Sequence, residues 1–138
     1  ELSLDDTGVG QRGMEALAST PSIAHLTTLR LSNTLMGDEG AVALANAPIL
    51  KHVTHLSLFN SQIGTRGVLA LANSPYLQNI HTLHLHENDI SDESARALIT
   101  SPVLADINVL TFDVAGLSER TCQLIAQSPH AYLLAESE

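Results

Sequence analysis

Apolar positions recur along this chain with a period of 27 residues. Leu2, Leu29, Leu56, Leu83 and Leu110 form one register, and Leu4, Leu31, Leu58, Leu85 and Phe112 form a second, two residues later. Val9, Met36, Ile63, Ile90 and Leu117 follow the same step, as do Leu17, Leu44, Leu71, Leu98 and Ile125. The prolines keep it too: Pro21, Pro48, Pro75, Pro102 and Pro129. No insertion or deletion interrupts the five copies. Such a fixed period marks a repeat architecture, in which each unit buries its apolar face only by stacking on its neighbours.

Each unit holds two periodicities. The L-x-L pair alternates with polar residues, which predicts a strand of about five residues with both leucines inward. Further on, apolar positions fall at i, i+3 and i+4, as in Ala41, Leu44 and Ala45, or Cys122, Ile125 and Ala126. This predicts a helix with one buried stripe. The helices start near Gly10, Gly37, Gly64, Ser91 and Ser118. Ser91 and Ser118 suit the N-cap, and Asp38, Asp92 and Glu119 suit the positive end of the helix dipole. The proline after each helix is read as its stop, because it cannot donate the next hydrogen bond. Small residues at Gly13, Gly40, Gly67 and Ser94 fall where neighbouring helices touch.

The full unit reads L-x-x-L-x-L-x-x-(N/S/T)-x-(I/V/M)-(G/S), then a polar turn, then A-L-A or a close variant before a small-Pro pair. This pattern resembles the leucine-rich repeat. Its period, and the wording Gly37-Asp38-Glu39-Gly40 followed by Ala43-Leu44-Ala45, are similar to the ribonuclease-inhibitor-type subfamily and its bacterial members. The resemblance implies an α/β solenoid with parallel strands inside and helices outside. Strands stack at about 4.8 Å and helices at about 8–10 Å, so the strand side is the concave one. In this family the asparagine after the strand bonds backbone along the turn. It survives as Asn88, with Thr7, Thr34, Ser61 and Ala115 in its place elsewhere. Ala115 offers no such bond, so the last unit is expected to be loosest there. Residues 1–138 are read as a single domain of about five repeats. The opening in mid-strand at Leu2, and the loss of the pattern at Ser137, suggest a C-terminal piece of a longer protein ending in a capping repeat.

Composition removes several function classes. Fifteen acids against six Lys and Arg give a net charge of −9, which repels phosphates and disfavours nucleic acid. Aromatics are 3% of the chain, too few for a base-stacking platform. No apolar run approaches the roughly 20 residues of a membrane span. Cys122 is a lone cysteine on the buried helix stripe, more a small core residue than a nucleophile. No Walker loop, G-x-S-x-G, H-E-x-x-H or C-x-x-C occurs, so no enzymatic site and no cofactor is expected.

The register also lists what the strand side presents. Four outward columns are expected. They are Thr28, His55, Thr82 and Val109; Ser3, Arg30, Ser57, His84 and Thr111; Asp5, Ser32, Phe59, His86 and Asp113; and Asp6, Asn33, Asn60, Glu87 and Val114. Asp5, Asp6, Glu87 and Asp113 oppose Arg30 alone there, four acids against one base, or −3 with histidine neutral. Phe59 is either a hot spot for a partner or a ring lying over Ser32 or His86. His84, His86 and Asp113 have the atom types of a zinc site. Yet the spacing is loose, and a His86–Asp113 pair on a solvated face is the simpler reading. Protonating these histidines near pH 6 would offset the acids and make binding pH-sensitive.

The family resemblance implies a protein-interaction module whose concave face takes a partner of complementary charge, here a protein or peptide with a basic patch. Arg30, His55, Phe59, His84, His86, Glu87 and Asp113 are the expected contacts. Two alternatives stand beside this: a structural segment of a larger bacterial protein or effector with no ligand of its own, and a metal site at His84, His86 and Asp113. The expected location is the cytoplasm, or a host cell for an effector. On the helix side, Arg12, Glu39, Arg66, Glu93 and Arg120 alternate in sign. Cross-repeat ion pairs, Arg66–Glu93 among them, are expected there.

Overall fold

The computed structural model describes residues 1–21 and 25–129. The capping reading placed on Ser137 therefore lies outside the described residues. Each copy of the repeat forms one short strand and one helix. The strands are β1 (Leu2–Ser3), β2 (Thr28–Arg30), β3 (His55–Ser57), β4 (Thr82–His84) and β5 (Val109–Thr111). The helices are α1 (Gly10–Ala18), α2 (Gly37–Ala45), α3 (Thr65–Ala72), α4 (Asp92–Thr100) and α5 (Glu119–Gln127). The strands pair in parallel in chain order, and every register step is the 27-residue period, as in Leu29 opposite Leu56 and Leu56 opposite Leu83. This is an α/β solenoid with one parallel strand and one helix in each repeat.

The core lies between the sheet and the helices. Leu29, Leu31, Leu56, Leu58, Leu83, Leu85, Leu110 and Phe112 reach it from the strands, and Met14, Ala41, Leu44, Val68, Leu71, Ala95 and Leu98 from the helices. The helix stripe holds less well in the fifth repeat. Cys122 is only half-buried and Ala126 is exposed, although Ala41 and Ala45 at the matching positions are fully covered. A residue in a stack is buried by the repeats on both sides of it, and among the described residues α5 has a helix on one side only.

The turn after each strand is a lateral ladder. Asp6, Asn33, Asn60 and Glu87 all have positive φ, between 48° and 61°. That conformation suits Asn and Asp better than other non-glycine residues. Asn33 Nδ2 donates to Asp6 Oδ1 at 2.7 Å, and Asn60 Nδ2 donates to Asn33 Oδ1 at 2.8 Å. The side chain two positions before Met36, Ile63 and Ile90 bonds as the family pattern requires. Thr34 and Ser61 donate to Leu31 O, while Asn88 donates to Leu58 O and Leu85 O and accepts from Ser61 N and Ile63 N.

Helix ends are capped across repeats. Ser91 and Ser118 cap α4 and α5 as expected, each accepting from a backbone N–H three residues on. Gly64 has no side chain to cap α3, and Asp38 of α2 supplies the missing acceptor: its Oδ1 takes Gly64 N–H at 2.8 Å and Gly67 N–H at 2.9 Å. Asp92 accepts from Ser118 N–H in the same way. That backbone donor holds the Asp92 carboxyl below its ordinary range against desolvation, with smaller help from the Thr121 and Ser118 side chains and Arg96. The two aspartates thus serve the following helix, beyond the dipole role read from their position. Asp38→Ala is expected to cost about 1.5 kcal/mol, a helix cap and a second backbone acceptor together. Urea denaturation checks this, with exposed Glu93→Ala as the control that leaves the midpoint unchanged.

The residue before Pro48, Pro102 and Pro129 is extended, as a following proline favours, and before the last two it is the C-cap of α4 and α5. α1, α2 and α3 end three residues before their prolines, and α4 and α5 end two before. At α2 and α3, which end earlier, side chains close the last carbonyls. Asn46 and Asn73 donate to Val42 O and Leu69 O, and Ser74 and Ser101 donate to Ala45 O and Ala72 O of the preceding helix. Pro48 instead opens a 3-10 turn, Pro48–His52, where its missing N–H is no loss.

Candidate functional site

The outward columns predicted from the register are on one side of the sheet, with one exception. Thr111 is buried, because His84 lies against it with Nδ1 2.9 Å from its hydroxyl. Arg30 is exposed and reaches across to Asp5, with Nη2 2.7 Å from Oδ2. His55 is exposed, and its Nδ1 lies 2.8 Å from Thr54 Oγ1. The Thr54 hydroxyl hydrogen goes to Thr27 O, so His55 is the donor in that bond.

Arg30, His55 and His84 come together. With Thr28, Ser57 and Thr82 they ring a shallow depression of about 300 Å³ whose floor is Leu29 and Leu56. His86, Glu87 and Asp113 form a second group past the strand ends. His86 Nδ1 is 3.0 Å from Asp113 Oδ1, and Glu87 N–H donates to Asp113 Oδ2 at 2.7 Å. The His86–Asp113 pair is thus present. Nδ1 of His55, of His84 and of His86 each has a protein partner, and no three His, Cys, Asp or Glu side chains among the described residues are arranged to hold a metal ion.

Phe59 joins neither group. Its side is 39% exposed, and the one ring contact among the described residues is the stacked pair His25–His52. Its ring is therefore not stacked on His86, and the shielding role considered for it is not taken up there. Leu35, between β2 and α2, was not foreseen as an exposed apolar residue. It is the most exposed large apolar residue described, at 56%, and it has a φ of 57°. The signal was available in its column, Gly8, Leu35, Gln62, Asp89 and Gly116, where a leucine stands among glycines and polar residues. A leucine in the left-handed region costs about 1–2 kcal/mol and here buries little in return.

His84 is held below the ordinary histidine range, chiefly by burial, then by the charges that His86 and His55 acquire. Its charge therefore arrives at lower pH than that of a free imidazole, which shifts the expected pH response downward. The sign for stability follows from the same fact. The unfolded chain takes up the proton more readily, so stability is full above the ordinary histidine pKa of about 6.5 and falls as pH drops through it. Unfolding free energy measured from about pH 7.5 to pH 5 is expected to fall less steeply in His84→Gln than in the parent chain. Equal slopes would remove His84 as a cause.

On the helix side one alternating ion pair forms, between Arg66 and Glu39. Arg66 turns toward the preceding repeat, not toward Glu93 as anticipated. Among the described residues the Arg12, Glu93 and Arg120 side chains make no ion pair. Exposed pairs are worth only about 0–1 kcal/mol, too little to hold long side chains in every register.

No helix among the described residues is long and apolar enough to cross a membrane. A family model described as Leucine Rich repeat matches residues 22–45, 50–72 and 76–98. No curated protein matches the chain.

Proposed function

Because the chain belongs to the leucine-rich repeat family, whose domains generally mediate protein–protein interaction, we propose that it binds a partner protein through its strand face. The observation that carries this is Phe59, a large aromatic left exposed in an outward column of the strand side, beside which Leu35, between β2 and α2, is a second exposed apolar residue with a strained backbone. Large apolar side chains left open beside ordered polar groups are the usual material of binding hot spots. Asp6 and Glu87 stand exposed at the strand ends and favour a partner segment with a basic patch. Arg30, His55, His84, His86 and Asp113 supply directional hydrogen bonds around them.

Selection of displayed peptides on the purified chain tests this. Peptides rich in Lys and Arg with an apolar anchor are the expected outcome. Phe59→Ala should weaken them about 30-fold, an ordinary hot-spot loss of ~2 kcal/mol, and Glu87→Lys should also weaken them. Arg66→Ala, on the helix side, should bind as the parent does. Leu35→Gly separates strain from contact: it should raise stability by about 1 kcal/mol, since glycine accepts positive φ freely, while weakening binding. Selected peptides that respond to Arg66→Ala and ignore Phe59→Ala would overturn the reading.

A further inference from the structure

The charges of the strand face are segregated, which the bulk acidity of the chain conceals. Asp5, Asp6, Glu87 and Asp113 lie past the strand ends, Asp5 with its carboxylate on Arg30, while the depression over β2, β3 and β4 is ringed by Thr28, Arg30, His55, Ser57, Thr82 and His84, with no Asp or Glu among its lining residues. We propose that this depression is an oxyanion subsite that takes a carboxylate or phosphoryl group carried by the partner. The inference rests on the strand face being the binding face and adds what part of the partner docks where.

The donors are ready and underused. The hydroxyls of Thr28 and Thr82 make no hydrogen bond to the described residues. Arg30 gives one terminal nitrogen to Asp5 and keeps its other N–H groups, on a side chain that is 54% exposed. A guanidinium fork of this kind matches carboxylate and phosphate geometry. His55 and His84 are each anchored through Nδ1 by a threonine hydroxyl. That anchoring orients both rings before any ligand arrives and leaves Nε2 as the nitrogen for a ligand, a donor to an oxyanion once the ring is protonated. The volume of about 300 Å³ holds one oxyanion with several waters. A partner would then be bipartite, with a basic side chain toward Glu87 and Asp6 and an anionic group over β3.

The test uses the whole chain and two simple probes, inorganic phosphate and acetate, at constant ionic strength near pH 6. The imidazole carbon-bound protons are followed by NMR. Saturable shifts at His55 and His84, absent from His25, His52 and His81, are expected. Arg30→Gln should raise the half-saturation concentration about fivefold, the loss of one charge-assisted hydrogen bond at an exposed site. Thr82→Val should raise it by less, and circular dichroism should show both variants folded. Saturation by phosphate alone identifies a phosphoryl ligand, by acetate alone a carboxylate, and by both a general oxyanion site. Shifts that never saturate, that appear equally at all five histidines, or that ignore both substitutions overturn the proposal. Because no partner is present, failure here leaves the peptide-selection result standing, and failure of the selection leaves a measured anion site without a binding face.

Discussion

Phe112→Ala is expected to cost about 4 kcal/mol, the largest loss from any single substitution considered. Phe112 takes the second inward strand position, which Leu4, Leu31, Leu58 and Leu85 hold in the other repeats. It is 0% exposed and the largest fully buried side chain described. Truncation removes its transfer free energy and leaves a cavity against a sheet and helix that cannot collapse into it, because both are fixed by the neighbouring repeat. Leu4→Ala, at the matching position of the first repeat, should cost clearly less, since Leu4 is only half-buried. Chemical denaturation of the two variants reads the difference. Equal losses would mean that burial in this stack does not set the cost. Domains of this size are stable by only about 5–15 kcal/mol, so the Phe112 variant should also show a lowered thermal midpoint.

Gly67→Ala should be strongly destabilising, although helix propensity alone favours it by about 1 kcal/mol. Gly67 lies in α3 with an ordinary helical φ, so conformational freedom is not the issue. A Cβ built there would stand 2.6 Å from Ile63 Cγ2, 2.8 Å from Asp38 Oδ1 and 2.9 Å from Ala41 Cβ. Two of those atoms belong to α2, and one is the carboxylate that caps α3. The methyl group would both spread the α2–α3 contact and displace the cap. Overpacking of this kind costs about 1–3 kcal/mol, and losing the cap adds about 1, which outweighs the propensity gain. An increase in denaturation midpoint for Gly67→Ala would refute the close helix contact. The double variant Asp38→Ala with Gly67→Ala should cost less than the sum of the singles, because the two share one contact.

The fold was legible in the sequence to an unusual degree because every signal repeats at the same step. The Leu29–Leu56–Leu83 register, the helix starts and the serine caps at Ser91 and Ser118 all follow from local pattern. The outward columns follow as well, since strand residues alternate faces and a parallel stack keeps the step. Errors arose where a residue's surroundings come from another repeat. Ala126 matches buried Ala45 by pattern, yet exposure depends on whether a helix lies beyond it. Arg66 could pair forward or back with equal spacing, and only side-chain packing chose Glu39. The prolines have the regularity of helix stops, but at α2 and α3 the last carbonyls are closed by Asn46, Asn73, Ser74 and Ser101, two of them from the following repeat.

Of the candidate site, the members could be named from the register but their grouping could not. Arg30, His55 and His84 sit on three strands and meet in one depression only because parallel pairing sets neighbouring strands about 4.8 Å apart. Leu35 was overlooked because a positive φ is invisible in a residue type that normally avoids it. Periodicity alone therefore specifies the α/β solenoid, its strand order and the residues turned outward, since each depends on backbone geometry common to all copies. The two bonds by which Asp38 caps α3 depend on what one repeat presents to the next. Those contacts span 26 to 29 residues of sequence and exist only once the stack has formed.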